Sequence, residues 1–523
     1  MSFVSIKSLL LNDSTKISAS SLYTLKMEWS KVLKRTPKDS ELRSAYQELI
    51  AEGKLTKDQK ILNLLTTRSI RTLSGVTPFA VMTKPHICPG LCTFCPLELG
   101  MPKSYLSDEP AAARARQLNF DPQAQIKSRL DQLVATGHDT DKIELIVIGG
   151  TFSNYPEEYK RSFFKSMIDT INGENSSSLE EAQLKNETAK RRIVGISIET
   201  RPDWVDTKEV KLLRELGVTK LQLGVQAFDE EILKKIKRGH GLKEVADATQ
   251  LLRDAGFKIC YHFMPNLPGS SPDKDIEMAR IMYEDPRFQP DFVKIYPAQV
   301  IPGTELFREW ERGEYKPYGD EELLQVLREI KLLTPPTVRI DRLVRDISKK
   351  WVAAGTKATN MRQYIQAQFQ KEGLVCRCIR CREVKERPVA VNAPLFVRVN
   401  ETQAGQDILL TIEDDHKLYS LLRLRLPSSR VNSLFAELND SAIIREVHTY
   451  GRTVKLGVTD INKTQHQGLG AKLIKKAEEI ATKKGYSKIA VISSIGTRNY
   501  YRKFGYEKEG LYMTKPLAVR RSI

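Results

Sequence analysis

Three closely spaced cysteines are the first residues of this chain that could do chemistry. Cys88, Cys92 and Cys95 follow a C-x3-C-x2-C pattern in HICPGLCTFCP, residues 86–96. Cysteine thiolates are the usual ligands of iron–sulfur clusters. With three of them, a four-iron cluster keeps one iron open to an external ligand. A zinc ion completed by a distant ligand such as His86 is the alternative.

Short polar or glycine-containing motifs end several of the β-rich runs that follow. They are IGGTF (148–152), SIETRPD (197–203) and GVQAF (224–228). The free backbone groups of a Gly-Gly turn can grip a small polar ligand, and charged side chains beside it can fix its orientation. A lone Gly-Gly after a strand is more often only a turn, so the prediction depends on the motifs occurring together. The candidate residues are Gly149, Gly150, Thr151, Glu199, Arg201 and Gln226.

Strands and helices alternate between residues 76 and 334, and this alternation would position those motifs. Six β-rich runs separated by amphipathic segments predict β/α units with parallel strands and right-handed connections. The fold class is therefore α/β, with a partial (β/α)6 barrel. Function in such barrels lies at the carboxyl ends of the strands, which is where the cysteine loop falls. The polar segment 172–190 interrupts the pattern and is predicted to be a solvated insertion.

A second domain with a phosphate-loop pattern is predicted after residue 391. Its β-rich runs are typical of antiparallel strands, and the α+β unit contains QHQGLG, residues 465–470, at the start of a helix. Backbone N–H groups at a helix start, together with the helix dipole, favour a pyrophosphate. A plain glycine turn is the alternative. The candidate residues are Leu469, Gly470 and Ala471.

The segment between the two domains carries a second cysteine group. Cys376, Cys378 and Cys381 form a C-x-C-x2-C pattern in CRCIRCREV. Zinc is the favoured ligand, with a second iron–sulfur cluster as the alternative. A fourth ligand would come from elsewhere, either His448 or a carboxylate. Such a zinc would hold the linker in place and would take no part in a reaction.

The charge balance indicates a polyanionic partner. The chain has 83 Lys and Arg against 65 Asp and Glu, a formal net charge of +18. Residues 1–75, which have a helical pattern, carry 13 basic against 7 acidic side chains. Clustered cations bind phosphates by displacing counterions, so nucleic acid is predicted and simple solubility is the alternative. No apolar run approaches the ~20 residues of a membrane helix, and no cleavable leader is evident, so a cytoplasmic protein without a membrane is predicted.

The cysteine loop and the strand-end motifs together resemble the radical S-adenosylmethionine superfamily. This resemblance implies a [4Fe–4S] cluster on Cys88, Cys92 and Cys95, with S-adenosylmethionine on the open iron. Gly149–Thr151 match the motif that binds the methionine amino group. Glu199, Arg201 and Gln226 fall where contacts to the sulfonium, ribose or carboxylate are usual.

The C-terminal region resembles the GNAT N-acetyltransferases, which bind acetyl-coenzyme A. The resemblance implies that the strand Glu446, Val447, His448 and Thr449 pairs with the pantetheine arm. It places the pyrophosphate on the N–H groups of Leu469, Gly470 and Ala471. Tyr500 or Tyr501, in GTRNYYRKFGY, would lie near the thioester sulfur and act with His448 in catalysis.

From about Lys31 onward, the whole chain resembles the catalytic subunit of Elongator in its stand-alone prokaryotic form. The motifs SGVTPFAVMTKPHICPG, IVIGGTFSNYPEEY, GISIETRPDW, REVHTYG and QHQGLG carry the resemblance. It implies a tRNA carboxymethyluridine synthase that acts on the wobble uridine and needs no other Elongator subunit. It also implies that Lys142 contacts acetyl-coenzyme A from the barrel side. A lysine acetyltransferase is the alternative function, and a tRNA-binding scaffold without turnover is a third.

Four regions follow from these patterns. They are a basic helical tRNA-binding segment at 1–75, a radical S-adenosylmethionine domain at 76–334, a zinc-binding linker at 335–390 and a GNAT domain at 391–523.

Overall fold

In the computed structural model, the described residues are 5–66, 74–384, 393–414, 417–451 and 468–518. Parts of the predicted N-terminal, linker and GNAT regions fall outside them, among them residues 385–390 of the linker. Residues 67–73 at the end of the basic segment and Gln465–Gln467 of the phosphate-loop motif are not described. Within the described ranges, no helix has the length and apolar character needed to cross a membrane.

Four helices form the N-terminal region and enclose a small core of their own. Trp29 and Tyr46 lie at its centre and are almost fully buried. The apolar residues recur at helical spacing and the charged ones face outward, as expected of amphipathic helices. The helices are α1 (Ile6–Asp13), α2 (Leu22–Leu33), α3 (Asp39–Ala51) and α4 (Gln59–Leu64).

Seven parallel strands follow one another in chain order and form the predicted partial barrel. The strand beyond the six predicted lies within 335–390, the segment predicted to be a linker. Its sequence RIDRL is mostly charged, so apolar content alone did not identify it. Within the sheet, the first and last strands are not paired with each other. The strands are β1 (Thr77–Met82), β2 (Lys142–Ile148), β3 (Arg192–Thr200), β4 (Lys220–Gln226), β5 (Lys258–Phe263), β6 (Phe292–Ile295) and β7 (Arg339–Leu343).

Helices cover the outside of this barrel. In β2, for example, the apolar residues Ile143, Leu145 and Val147 face outward and are buried against the helices in the main apolar core. They alternate with Lys142 and Glu144, which face the inside of the barrel, because successive side chains of a strand point to opposite faces. The helices are α5 (Pro110–Gln117), α6 (Pro122–Ala135), α7 (Glu157–Asn172), α8 (Leu179–Asn186), α9 (Thr207–Glu215), α10 (Glu230–Lys235), α11 (Leu242–Asp254), α12 (Pro272–Glu284), α13 (Glu305–Glu311), α14 (Asp320–Leu333), α15 (Met361–Glu372) and α16 (Ile379–Arg382).

The prediction that 172–190 is only a solvated insertion is wrong. The segment contains α8, whose Leu179 and Ala182 are buried in the main core. Beyond the helix, the buried Glu187 forms ion pairs with Arg498 at 3.0 Å and Arg502 at 2.6 Å, both from the C-terminal domain. The polar composition was misleading because the acidic side chain is paired with cations that come from far along the chain.

The C-terminal domain is a seven-stranded, mostly antiparallel sheet with one long helix against it. The elements are β8 (Leu395–Thr402), β9 (Gly405–Asp414), β10 (Lys417–Pro427), β11 (Ser441–Thr449), α17 (Leu469–Lys483), β12 (Lys488–Val491), α18 (Arg498–Arg502), β13 (Glu507–Glu509) and β14 (Tyr512–Pro516). The sheet order is β13-β14-β12-β11-β10-β9-β8, and in this described sheet only β11 and β12 run parallel.

This C-terminal domain covers the amino ends of the barrel strands. The Oγ of Ser494 donates to the carbonyl of Ile193 at the start of β3, at 2.8 Å. Arg445 donates to the carbonyl of Phe257 before β5 and forms ion pairs with Asp291 before β6. His448 Nε2 lies 2.7 Å from the carbonyl oxygen of Ser74, before β1. The carboxyl ends of the strands are therefore left for the cysteine loop.

Candidate active sites

The cysteine loop lies directly after β1 at the carboxyl-end mouth of the barrel. Cys88 Sγ is 3.8 Å from the hydroxyl of Thr151, and Arg238 Nη1 donates to Cys92 Sγ at 3.3 Å. A side chain at Gly90 would collide with the Arg201 guanidinium, because the loop passes directly beneath it. The glycine therefore allows Arg201 to approach the loop.

The electrostatic environment of the loop favours thiolate at Cys92, whereas the pKa of Cys95 is raised by its hydrogen bond to Cys92 and by burial. Cys92 has its pKa lowered to about 5 because Cys95 donates a hydrogen bond to it and because the charges of Arg238 and Arg201 attract a negative sulfur. Thiolate is the form that ligates iron. Three cysteines from one short loop, with cations beside them to offset the negative charge, fit an iron–sulfur cluster.

The Gly-Gly turn after β2 faces this loop across a small opening. Gly149 and Gly150 have φ values of 137° and 93°, a region that side chains rarely adopt. The turn thus presents bare backbone toward Cys88. The opening is lined by His86, Ile87, Cys88, Lys103, Gly149, Gly150, Thr151 and Tyr155.

Gly149→Ala is expected to abolish ligand binding in this opening. The new methyl group would collide with Thr83 Oγ1, and the φ of 137° would add strain of about 1–3 kcal/mol. Gly173→Ala is the matched control, because it also has a positive φ but nothing lies within 4 Å of the added carbon. Isothermal titration with S-adenosylmethionine measures both variants. Equal binding by the two would contradict the role of the turn.

The three charged or amide residues predicted at strand ends all lie at the same mouth. Glu199 is paired with Lys294 at 3.3 Å and accepts a hydrogen bond from the hydroxyl of Tyr105. Although burial opposes it, the charge of Lys294 holds the pKa of Glu199 below its usual value. Arg201 donates two hydrogen bonds to Asp203, at 2.9 and 2.7 Å.

Gln226 ends β4 in an unusual conformation. Its φ is 79°, and within the described structure its side-chain Oε1 is buried without a hydrogen-bond partner. An unsatisfied buried acceptor costs roughly 1–3 kcal/mol. Such a group at the mouth of a barrel is explained if a ligand donates to it.

Two contacts of the loop were not predicted from the sequence. Arg238, from the KRGHG motif, donates to both Cys92 and the carbonyl of Gly224. Lys103 donates to the carbonyl of Gly90. The motif was recognised as part of a family pattern, but nothing in its spacing pointed toward a cysteine about 150 residues earlier in the chain.

The predicted phosphate loop, the splayed strand and the tyrosines meet in the C-terminal domain. A side chain at Gly470 would touch the hydroxyl of Tyr500, with Val447 3.6 Å away. Leu469 begins the 15-residue helix α17, followed by Gly470 and Ala471, and Gly468 caps it with a φ of 75°. The start of the helix, with the positive end of its dipole, thus lies beside β11.

The remaining residues of this second site surround the same strand. Glu446 is paired with Arg423 at 2.9 Å, and its pKa is lowered to about 2 because the charges of Lys258 and Arg423 outweigh burial. His448 stacks on Tyr450 at 4.3 Å, and the Thr449 hydroxyl is 3.0 Å from that of Ser420.

The two predicted tyrosines have different surroundings. Tyr500 is 39% exposed and has its pKa raised to about 12 by burial of its hydroxyl. Tyr501 is buried in the core of the domain, and burial with the nearby Tyr500 and Glu446 raises its pKa further. Tyr500 is thus the one that lies against the helix start.

Lys142 lies at the amino end of the barrel, on the side of the C-terminal domain. It is the first residue of β2 and is paired in register with Arg192. Burial lowers its pKa. The two candidate sites therefore lie at opposite ends of the barrel, separated by a strand of seven residues, which is roughly 20 Å.

The second cysteine group is compact. The sulfur atoms of Cys376, Cys378 and Cys381 all lie within 4.8 Å of one another, and no His, Asp or Glu among the described residues joins them. Hydrogen bonds from its two neighbours lower the pKa of Cys378. Lys331 Nζ is 3.7 Å from Cys381 Sγ. His448, proposed from the sequence as a fourth ligand, instead faces Ser74.

Family models match this architecture in three places. The radical SAM superfamily model matches residues 82–282, and the radical SAM C-terminal domain model matches 290–371. The acetyltransferase (GNAT) domain model matches 454–514. The chain thus combines a radical SAM barrel with a GNAT domain.

Relatives and a solved structure extend the similarity over most of the chain. A Methanocaldococcus jannaschii tRNA uridine(34) acetyltransferase is 43% identical over 483 residues, 88% of each chain. Human Elongator complex protein 3 is 39% identical over 477 residues, covering 87% of this chain and 86% of the human one. The structure of an N-terminally truncated Methanocaldococcus infernus Elp3 is 41% identical, with a TM-score of 0.75 over 85% of this chain and all of that one. The chain belongs to the Elp3/tRNA uridine(34) acetyltransferase family.

Proposed function

We propose that this protein carboxymethylates C5 of the wobble uridine of tRNA, with acetyl-coenzyme A as the carbon source. The observation that carries the proposal is the presence of two different cofactor-type sites in one chain, one at the carboxyl-end mouth of the barrel and one in the C-terminal domain that covers its amino end. One has three cysteines, a bare Gly-Gly turn and an unsatisfied Gln226 acceptor. The other has a helix start facing a strand and a tyrosine. The relatives' names support a tRNA uridine as the substrate.

The residues at the first site would bind and shield a [4Fe–4S] cluster with S-adenosylmethionine. Cys88, Cys92 and Cys95 would ligate three irons, and Arg238 would offset negative charge on Cys92. When bound, these cofactors would supply a carbon-centred radical able to take hydrogen from an unactivated methyl group. The backbone of Gly149–Thr151 would hold the methionine end of S-adenosylmethionine, and Gln226 Oε1 would accept a hydrogen bond from it. Glu199 and Arg201 would orient the remainder of that ligand.

At the second site the helix α17 would hold the coenzyme A pyrophosphate through the N–H groups of Leu469, Gly470 and Ala471. The strand Glu446–Thr449 would pair with the pantetheine arm. Lys142 would approach from the barrel. Either tyrosine, or His448, would donate a proton to the departing thiolate.

The basic N-terminal region supports binding of tRNA, a large polyanion. Its helices carry the local excess of basic residues and would hold tRNA through its phosphates. Reading C5 requires the wobble base to leave its stack. Zinc on Cys376, Cys378 and Cys381 would pin the linker. We propose that the chain acts without other subunits.

The test is mass analysis of anticodon nucleosides after anaerobic incubation with tRNA, S-adenosylmethionine, acetyl-coenzyme A and a reductant. A 5-carboxymethyl uridine, absent when S-adenosylmethionine is omitted, is the expected result. Acetylated lysine on added peptides with unmodified tRNA would instead favour a lysine acetyltransferase. Unmodified tRNA in the presence of full S-adenosylmethionine cleavage would overturn the proposal.

Tyr500→Phe, at the tyrosine that lies against the helix start, should slow release of coenzyme A by about 100-fold, the usual loss when a general acid is removed. Binding of tRNA should not change. Tyr501→Phe tests the buried neighbour in the same assay, which measures free thiol over time. Tyr506→Phe is the matched control, since its hydroxyl donates to Glu478 instead. Normal thiol release by both variants would remove the tyrosines from the mechanism.

A further inference from the structure

The segment from β7 to α16 is strongly basic. Residues 339–382 carry 11 Lys and Arg against 3 Asp and Glu, an excess of 8 within 44 residues. This excess is larger than the excess of 6 over residues 1–75, from which a polyanionic partner was predicted. The sequence predicted only a zinc-holding linker here, and that role leaves the charge unexplained.

Most of these cations lie on the surface of the protein. Within the described structure, Lys349, Lys357 and Arg377 form no ion pair with a carboxylate. Such cations are available to an outside anion, because binding it does not require an internal pair to break. The exposed cations of the segment are Arg342, Lys349, Lys350, Lys357, Lys371, Arg377 and Arg380.

Contacts of the segment place its first part at the carboxyl-end mouth of the barrel. Arg345 forms an ion pair with Glu109 at 2.7 Å, and Trp351 Nε1 donates to Asp108 at 3.0 Å. Both carboxylates belong to the stretch that follows the cysteine loop in the chain. The exposed cations that adjoin Trp351 therefore lie on the rim of the mouth that holds the cysteine loop.

The second cysteine group holds two of the exposed cations in place. Arg377 and Arg380 alternate with the cysteines in CRCIRC, and both are exposed, whereas Cys376 and Cys378 are buried. Arg380 Nη1 also donates to the carbonyl of Asp341 on β7, at 2.8 Å. The group thus keeps its buried cysteines inside and presents its arginines outward, beside the last strand of the barrel.

An exposed aromatic side chain lies among these cations. Tyr364 on α15 is 53% exposed. The same helix is bound to the last strand, because Arg362 Nη2 donates to the carbonyl of Ile340 at 2.9 Å. Exposed rings beside cations are typical of surfaces that hold single-stranded RNA, since an unpaired base stacks on the ring and the cations bind the phosphates.

We propose that residues 339–382 form a surface that holds the anticodon loop of tRNA at the mouth of the barrel. This inference rests on the proposed function. The exposed lysines and arginines would bind phosphates of the loop, and Tyr364 would stack on one of its unpaired bases. A wobble base must leave its stack to be modified, and phosphates fixed on the rim would keep the loop in place while it does so.

Removing two of the unpaired lysines tests the surface. Fluorescence anisotropy measures binding of a labelled anticodon stem-loop RNA to the full chain at several salt concentrations. Lys349→Gln combined with Lys357→Gln should weaken binding by about 10-fold and lower the slope of log affinity against log salt by about 2, one for each lost phosphate contact. The matched control combines Lys208→Gln with Lys211→Gln, two exposed lysines of α9 between β3 and β4, and should leave affinity and slope unchanged.

The tyrosine separates RNA from an acidic protein as the partner. Tyr364→Ala should weaken binding of the same RNA by about 10-fold, whereas Tyr364→Phe keeps the ring and should bind normally. Equal affinity of the two lysine variants, or full affinity of Tyr364→Ala, would overturn the proposal, since cations that act without the ring suit an acidic protein as well. If wild-type protein binds the RNA through this surface but makes no carboxymethyl product, the proposed function fails and the surface stands.

Discussion

Replacing Cys92 with alanine is expected to remove S-adenosylmethionine cleavage completely. Cys92 is the most buried of the three loop cysteines and the one that Arg238 contacts. Without it, the loop offers two thiolates where a cluster with one open iron needs three. In this variant the Arg238 guanidinium would also lose the sulfur atom to which it donates. Iron content after anaerobic reconstitution and the yield of 5′-deoxyadenosine measure the change.

Cys260→Ala is the matched control for this cysteine. It also removes a buried thiol from the barrel, but Cys260 lies at mid-strand and its pKa is raised to about 12 by burial, so it stays a protonated thiol. Protonated thiols do not ligate metals. The control should bind four irons and cleave S-adenosylmethionine. Full cleavage by Cys92→Ala, or loss of iron from the control, would refute the assignment of the cluster to the loop.

The barrel and its mouth could be predicted because local patterns determine them. Alternating strands and helices require parallel units, and a loop after the first strand must lie at the carboxyl end. The same rule predicted that Glu199, Arg201 and Gln226, at the ends of later strands, lie at this mouth. The helix start at Gly470 was predicted because glycines at a helix start have a local chemical meaning.

Long-range pairing could not be predicted in the same way. Arg238 reaches Cys92, and Glu187 reaches Arg498, across stretches of about 150 and 310 residues. The seventh strand was missed because its charged residues face the interior of the barrel and resemble a solvated linker. The charged inner face of β2 could not be predicted for the same reason, because a period-two pattern shows two faces but not which one faces inward.

Buried charged side chains also hold the junction between the two domains. Asp291, at the amino end of β6, accepts from Arg445 and Arg423 of the C-terminal sheet. Asp407 is shared by Arg445, Arg253 and Arg425, and the combined positive charge lowers its pKa although it is buried. Such groups are stabilising only while every partner is present, because a lone buried charge has lost its water.

Arg445→Met is therefore expected to lower the free energy of unfolding by about 3–5 kcal/mol, the cost of removing one partner from a buried ion pair. Both Asp291 and Asp407 would lose a partner, and the carbonyl of Phe257 would lose its donor. The denaturant midpoint of the first unfolding transition measures the change. Arg312→Met is the control, because its pair with Glu314 is more than half exposed on both sides and such pairs contribute little. Equal midpoints for the two variants would mean that the network does not hold the domains together.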